Sequence, residues 1–178
     1  MHKDAICVKS KFFKTACSTR WREGQEKIVR LPEVEAEAFQ SYVNWAYSDN
    51  VVAESTLGEN IEMMIKLYLL GDKLEDIKLR NKALKALHSH ATIDKLHPGY
   101  GNIKVIWAAT PPNSLLRKWV LDVTILRLCR EHFEKRLADY PSEFVRELAL
   151  KSLQQIPVVT EKDFQVKLPQ YLEAEEEV

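Results

Sequence analysis

The sequence predicts an α+β chain that is mostly helical, with the helices gathered on one side of a small sheet. Three observations predict it. Apolar residues recur at helical spacing through most of the chain. One short run, Ile28-Val29-Arg30-Leu31, is β-branched and alternating and ends at Pro32, which is a strand signal. One stretch, residues 96–102, concentrates the breakers Pro98, Gly99 and Gly101 and divides the chain.

The elements follow in order. Residues 4–18 read as two short helices, the second capped by Ser10 and carrying Phe12, Phe13, Ala16 and Cys17. Residues 19–27 are polar, with Gly24 as a break, and read as a loop. After the 28–31 strand, Phe39, Tyr42, Val43 and Ala46 mark a helix from about Glu35 to Tyr47. Val51-Val52 is a second, very short strand. Ile61, Met64, Ile65 and Tyr68 follow the i, i+3, i+4, i+7 rule, with Leu69 widening the stripe. Gly71 then suits close helix packing or marks a weak point in the helix. Leu79, Ala83, Leu84 and Leu87 form the buried side of a helix from about Ile77 to His88.

Beyond the breakers, 103–109 reads as a short helix stopped by Pro111-Pro112. Asn113 or Ser114 caps a longer one with Leu115, Leu116, Trp119, Val120, Val123 and Leu126. It continues, or breaks once, toward Leu137. Pro141 opens a last helix, where its missing N–H costs nothing. Phe144, Val145, Leu148, Ala149 and Leu153 are its apolar positions, and Pro157 ends it. Glu173 to Glu177 are an acidic, solvated tail. The division is therefore a domain at 1–95, a linker at 96–102 and a helical extension at 103–178. In the extension, Leu115, Trp119, Val123 and Leu126 make one face, read either as packing or as a groove for a target.

Composition narrows the function classes. The chain has 178 residues, 46% hydrophobic, which is enough for a true core. Lys+Arg and Asp+Glu are both 26, so there is no basic excess of the kind phosphate neutralisation demands, and direct nucleic-acid binding is not expected. Three widely spaced cysteines, Cys7, Cys17 and Cys129, make no disulfide framework. The start has no signal-peptide core, and no apolar run approaches the ~20 residues that span a bilayer. A soluble protein of the cytoplasm or nucleus, without membrane contact, is expected.

Catalytic motifs are missing. No P-loop, dinucleotide fingerprint, nucleophile elbow or zinc-protease helix occurs. Cys129 and His132 are half a zinc site at most, and His88 and His90 do not share a helix face. No catalytic, cofactor or metal residue is assigned. Trp45, Trp107 and Trp119 read as core or interface anchors. Trp21 stands apart, between Arg20 and Arg22 in a polar stretch where no amphipathic helix requires it. It is read equally as an interface residue and as a ring folded back on the strand after it.

Several motifs together resemble the BTB/POZ family of fungal type. They are His2-Lys3-Asp4, Ser10-Lys11-Phe12-Phe13-Lys14, Trp21-Arg22-Glu23-Gly24 and Ile28-Val29-Arg30-Leu31-Pro32-Glu33-Val34. Ala38 to Val43, Trp45-Ala46-Tyr47, Leu67 to Leu74, Leu79-Arg80-Asn81 and Ala83-Leu84 continue the series in the family's order, over about residues 1–92. The resemblance implies a small sheet capped by a helical cluster and a non-catalytic role in protein–protein binding. It implies homodimers as in many members, or a substrate adaptor for a cullin-type ubiquitin ligase as in some. In such adaptors a hydrophobic residue, any residue, then Glu helps grip the cullin, and Trp21-Arg22-Glu23 matches that pattern. The alternative is a nuclear scaffold acting in chromatin or transcription through protein contacts. The resemblance begins after the family's opening β-hairpin, so it implies a truncated fold with an exposed sheet edge. Either the chain is a truncated form, or a partner or the C-terminal extension fills that gap, and homodimerisation stays open.

Overall fold

The computed structural model describes residues 6–48, 57–127 and 129–155. The Val51-Val52 strand, Pro157 and the acidic tail lie outside them. The described helices are α1 (Lys11–Ala16), α2 (Arg22–Glu26), α3 (Ala36–Ser48), α4 (Leu57–Lys73), α5 (Ile77–Thr92), α6 (Tyr100–Ala109), α7 (Leu115–Arg127), α8 (Arg130–Arg136) and α9 (Ser142–Leu153), with a 3₁₀ turn at Leu137–Asp139. No strand occurs among the described residues, so the expected sheet is corrected. Residues 28–31 keep the alternation that suggested it: Ile28 and Arg30 are exposed, Val29 and Leu31 half-buried. A strand also needs a ladder partner, and none of the described residues supplies one.

α4 is the axis of the fold, because its sequence is apolar on two faces. Ile61, Ile65 and Tyr68 enter one core with Leu87 of α5, Ile103 and Trp107 of α6, Leu116 and Val120 of α7, and Phe144 of α9. Leu70 and Leu74 enter a second core with Phe13, Tyr42, Trp45 and Leu79. Residues 103–148 thus share the core of α4 and α5. In α3 the buried stripe is Ala38, Tyr42, Trp45 and Ala46. It lies about one position away from the expected stripe, and Phe39 is only half-buried. α7 is rotated likewise. Leu115 and Leu126 face outward, 61% and 68% exposed, while Leu116, Val120, Val123 and Thr124 are buried.

The turn between α4 and α5 is a polar hub inside the second core. Asp76 is buried and caps α5. One carboxylate oxygen accepts from the Leu79 amide at 2.9 Å, and the other from Trp45 Nε1 at 3.2 Å. Glu75 turns the chain in the left-handed region at φ 52°. Ser10 Oγ donates to the Leu74 carbonyl at 2.6 Å and accepts from the Phe13 amide at 3.0 Å. Ser10 therefore caps α1 as expected, and docks α1 on the same turn. Gly71 lets the helices close: a Cβ there would meet Arg80 Cγ at 3.0 Å and the Arg80 amide nitrogen at 3.2 Å.

Two predictions follow from this hub. Asp76→Ala removes a cap and leaves the Trp45 N–H buried without an acceptor, and should cost about 3 kcal/mol. Asp76→Asn keeps one acceptor oxygen but turns an NH2 toward the other donor, so it should cost about 2 kcal/mol in the same urea titration. Equal losses would mean that the fold needs both acceptor oxygens at once. Tyr42 is fully buried, and among the described residues its hydroxyl makes no hydrogen bond of good geometry. Burial first, then the Asp76 charge, push its phenol above the ordinary value of 10.0. A raised acid pKa stabilises the fold fully below the unfolded value, and that stability is lost as pH rises above it. Melting temperature should therefore fall above about pH 10, and Tyr42→Phe should flatten that fall at little cost near neutrality.

Candidate functional site

The N-terminal end of the second core is left uncovered. Phe13 of α1, Phe39 of α3, and Val29, Leu31 and Val34 of the segment between α2 and α3 line a pocket of about 670 Å3 together with Ile6. Glu23, Lys27 and Thr19 are the polar members of its wall. The lining is apolar with a charged rim, the character of a protein-docking surface.

Its walls are held in place by the chain around them. Phe13 stacks on Tyr42 with centroids 6.2 Å apart. Glu33 is paired to Lys73 at 3.0 Å and Glu35 to Lys66 at 2.8 Å, so the segment after Leu31 is pinned to α4. Glu35 and Glu62 together raise the Lys66 pKa by hydrogen bonding to its ammonium. The backbone groups of Val29 and Arg30 make no hydrogen bond among the described residues.

Trp21, Arg22 and Glu23 stand beside the pocket, at the start of α2. The expected loop is thus a short helix, and Gly24 lies within it instead of breaking it. A Cβ at Gly24 would meet the Ser18 carbonyl oxygen at 2.0 Å, so glycine is what lets α2 close on the turn before it. Lys27 ends α2 in the left-handed region, its N–H donating to the Glu23 carbonyl. Trp21 is 55% exposed. Arg22 is bound to Glu26 at 2.6 Å. Among the described residues the Trp21 and Glu23 side chains have no hydrogen bond or ion pair, whereas Arg22 is already committed.

The other residues singled out from the sequence do not converge here. Trp45 bonds Asp76, and Trp107 packs edge-on to Phe144 at 4.9 Å. His88 accepts from Trp119 Nε1 at 3.4 Å, and His90 meets Asp94 at 2.8 Å. Cys129 precedes α8 and His132 lies on it. Among the described residues no group of three or more His, Cys, Asp and Glu could hold a metal ion. None of the helices searched among them is long and apolar enough to cross a membrane. The pocket-lining Val29, Leu31, Val34 and Phe39 were not singled out as a site. Their signal was the alternating 28–31 run without a partner strand.

The protein-family model for the BTB/POZ domain matches residues 1–91. The chain belongs to the BTB/POZ family. Comparisons with curated proteins and with solved structures give no match. A BTB/POZ domain is a non-catalytic module for protein–protein interaction. The match includes α1 to α3, the pocket and the Trp21–Glu23 segment.

Gly24→Ala should lower the urea midpoint by an amount worth about 1–3 kcal/mol, since backbone and not a flexible side chain stands in the way. Gly101→Ala, in a helix with nothing within 4 Å of the added carbon, is the control and should be neutral or stabilising. A harmless Gly24→Ala would show that α2 can leave the Ser18 turn without loss.

Proposed function

We propose that this BTB/POZ chain is an adaptor whose partner is read by the Trp21–Glu23 segment, and that the partner is a cullin-type scaffold. The supporting observation is the state of the three side chains. Trp21 is exposed, and Glu23 has no hydrogen bond or ion pair among the described residues, at the rim of an apolar pocket. An exposed tryptophan on a fixed helix start offers large contact area at low entropy cost, and tryptophan is among the residues that dominate interface energies. A nearby free carboxylate adds register through a basic group on the partner. Arg22, paired to Glu26, holds α2 rather than the partner.

The reading further takes the chain as fungal in type. It takes residues 1–95 as the interaction domain and 103–178 as an extension that buttresses it. Support for the buttress comes from Ile103, Trp107, Leu116 and Phe144, which bury themselves against α4 and α5.

The experiment is retention of a purified cullin scaffold on the immobilised full chain. Trp21→Ala with Glu23→Ala should weaken it by at least about thirty-fold, the size of one interface hot spot. Neither side chain supports the fold, so melting temperature should be unchanged. Full retention by the double variant removes Trp21 and Glu23 from the site. No retention by the parent chain removes the cullin and leaves the interaction module.

A further inference from the structure

α2 carries the Trp21–Glu23 segment but does not hold itself in place. It has five residues and buries none of them, and its N-cap Trp21 supplies no side-chain bond. A single helical turn is unstable in isolation, because its few hydrogen bonds do not offset the entropy lost in fixing it. Contacts from outside the turn must therefore orient it. The Arg22–Glu26 pair joins two residues of α2 to each other and cannot do so. Gly24 lets the turn approach the Ser18 carbonyl but adds no bond of its own side chain.

Among the described residues, one side-chain hydrogen bond leaves α2 for the chain before it. Gln25 Nε2 donates to the Thr19 carbonyl at 3.0 Å. A carbonyl can only accept, so the Gln25 amide must turn its NH2 toward Thr19. The bond closes a loop with Trp21 inside it. Within the loop, the Trp21 amide donates to the Ser18 carbonyl at 3.1 Å, and the Trp21 carbonyl accepts from the Gly24 and Gln25 amides at 3.1 Å each. Thr19 and Glu23 line the same pocket wall, so the closure sets their spacing as well. The Gln25–Thr19 bond is exposed to solvent, so it adds direction more than global stability.

We propose that Gln25 is the positioning residue of this segment, and that its bond to Thr19 fixes the direction in which Trp21 and Glu23 are offered to a partner. The inference rests on the reading of Trp21–Glu23 as the partner site. A side chain oriented before binding has less freedom to lose on binding. Gln25 therefore acts on affinity through Trp21 and Glu23.

Two substitutions test it on the full chain. Gln25→Met keeps the length and neutrality of the side chain and removes the donor, whereas Gln25→Lys restores a donor. In hydrogen exchange without a partner, the Gly24 and Gln25 amides should exchange about five-fold faster in Gln25→Met, the worth of one neutral hydrogen bond. They should return toward the parent rate in Gln25→Lys, with melting temperature unchanged in both. Retention of a purified cullin scaffold should fall about five-fold in Gln25→Met for the same reason. Added to Trp21→Ala with Glu23→Ala, Gln25→Met should weaken retention no further. Unchanged exchange in Gln25→Met, undiminished retention, or an equal further loss in the double-variant background each overturns the proposal. No retention by the parent chain, with faster exchange in Gln25→Met, overturns the cullin partner and leaves the positioning of the segment by Gln25 standing.

Discussion

The fold turns on the buried carboxylate of Asp76. A charge taken out of water is tolerated only where its oxygens are satisfied. Here one oxygen ends on the first turn of α5 and the other on the indole of α3. The residue two places earlier, Leu74, gives its carbonyl to Ser10 and so takes in α1 as well. Four helices meet at a three-residue turn, and each is oriented by a directional bond, not by apolar contact alone. That geometry fixes where Phe13 and Phe39 stand, and hence the pocket they line. The candidate surface is thus positioned by hydrogen bonds that lie behind it.

A second buried charge does similar work in the other core. Arg117, 3% exposed, donates to the Thr110 hydroxyl at 3.1 Å, to the Trp107 carbonyl at 2.7 Å and to Glu147 at 3.0 Å, while Glu143 lies at 3.2 Å. Its guanidinium also lies over the Trp107 ring, 5.0 Å from the centroid. The planar fork satisfies the end of α6 and reaches α9 from α7, which lysine could not reproduce. These helices and α4 therefore enclose one core. An extension held this way packs on α4, and α4 carries the pinning lysines Lys66 and Lys73. The link from residues 103–153 to the pocket runs through that shared helix.

Helices were legible because period and caps are local. Ser10, Pro141 and the apolar spacing of α4, α5 and α9 could be read from a few neighbouring residues. The stripes of α3 and α7 were misplaced by about one position. Their orientation is set by Trp45 reaching Asp76 and Arg117 reaching Glu147, contacts separated by 31 and 30 residues. Spacing cannot show such partners. The 28–31 run was read as a strand because β-branching and alternation are local too, but a ladder is not. Gly24 was misread for the same reason: the Ser18 carbonyl that excludes a side chain there is a contact across a turn. Trp21 could be marked from sequence as out of place, and it stands 55% exposed. That Arg22 is committed depends on its reach to Glu26, one helical turn along α2.

An interaction protein needs no converging acid, base or metal, so its function shows as incomplete structure. Nearly every large apolar side chain of α4 to α7 that faces a neighbour is buried, and the polar groups at the ends of α1 and α5 have named partners. Against that background, a pocket with an unpaired edge is a local exception to a satisfied fold. Free edges are hazards that folded proteins normally blunt. Here the rim carries Glu23 and Lys27, and the neighbouring turn carries an exposed tryptophan. Charges of both signs on the rim discourage indiscriminate pairing and favour a partner whose charges complement them. The same features that keep the edge from aggregating also specify what may pair with it, which is how an apolar pocket becomes a selective one.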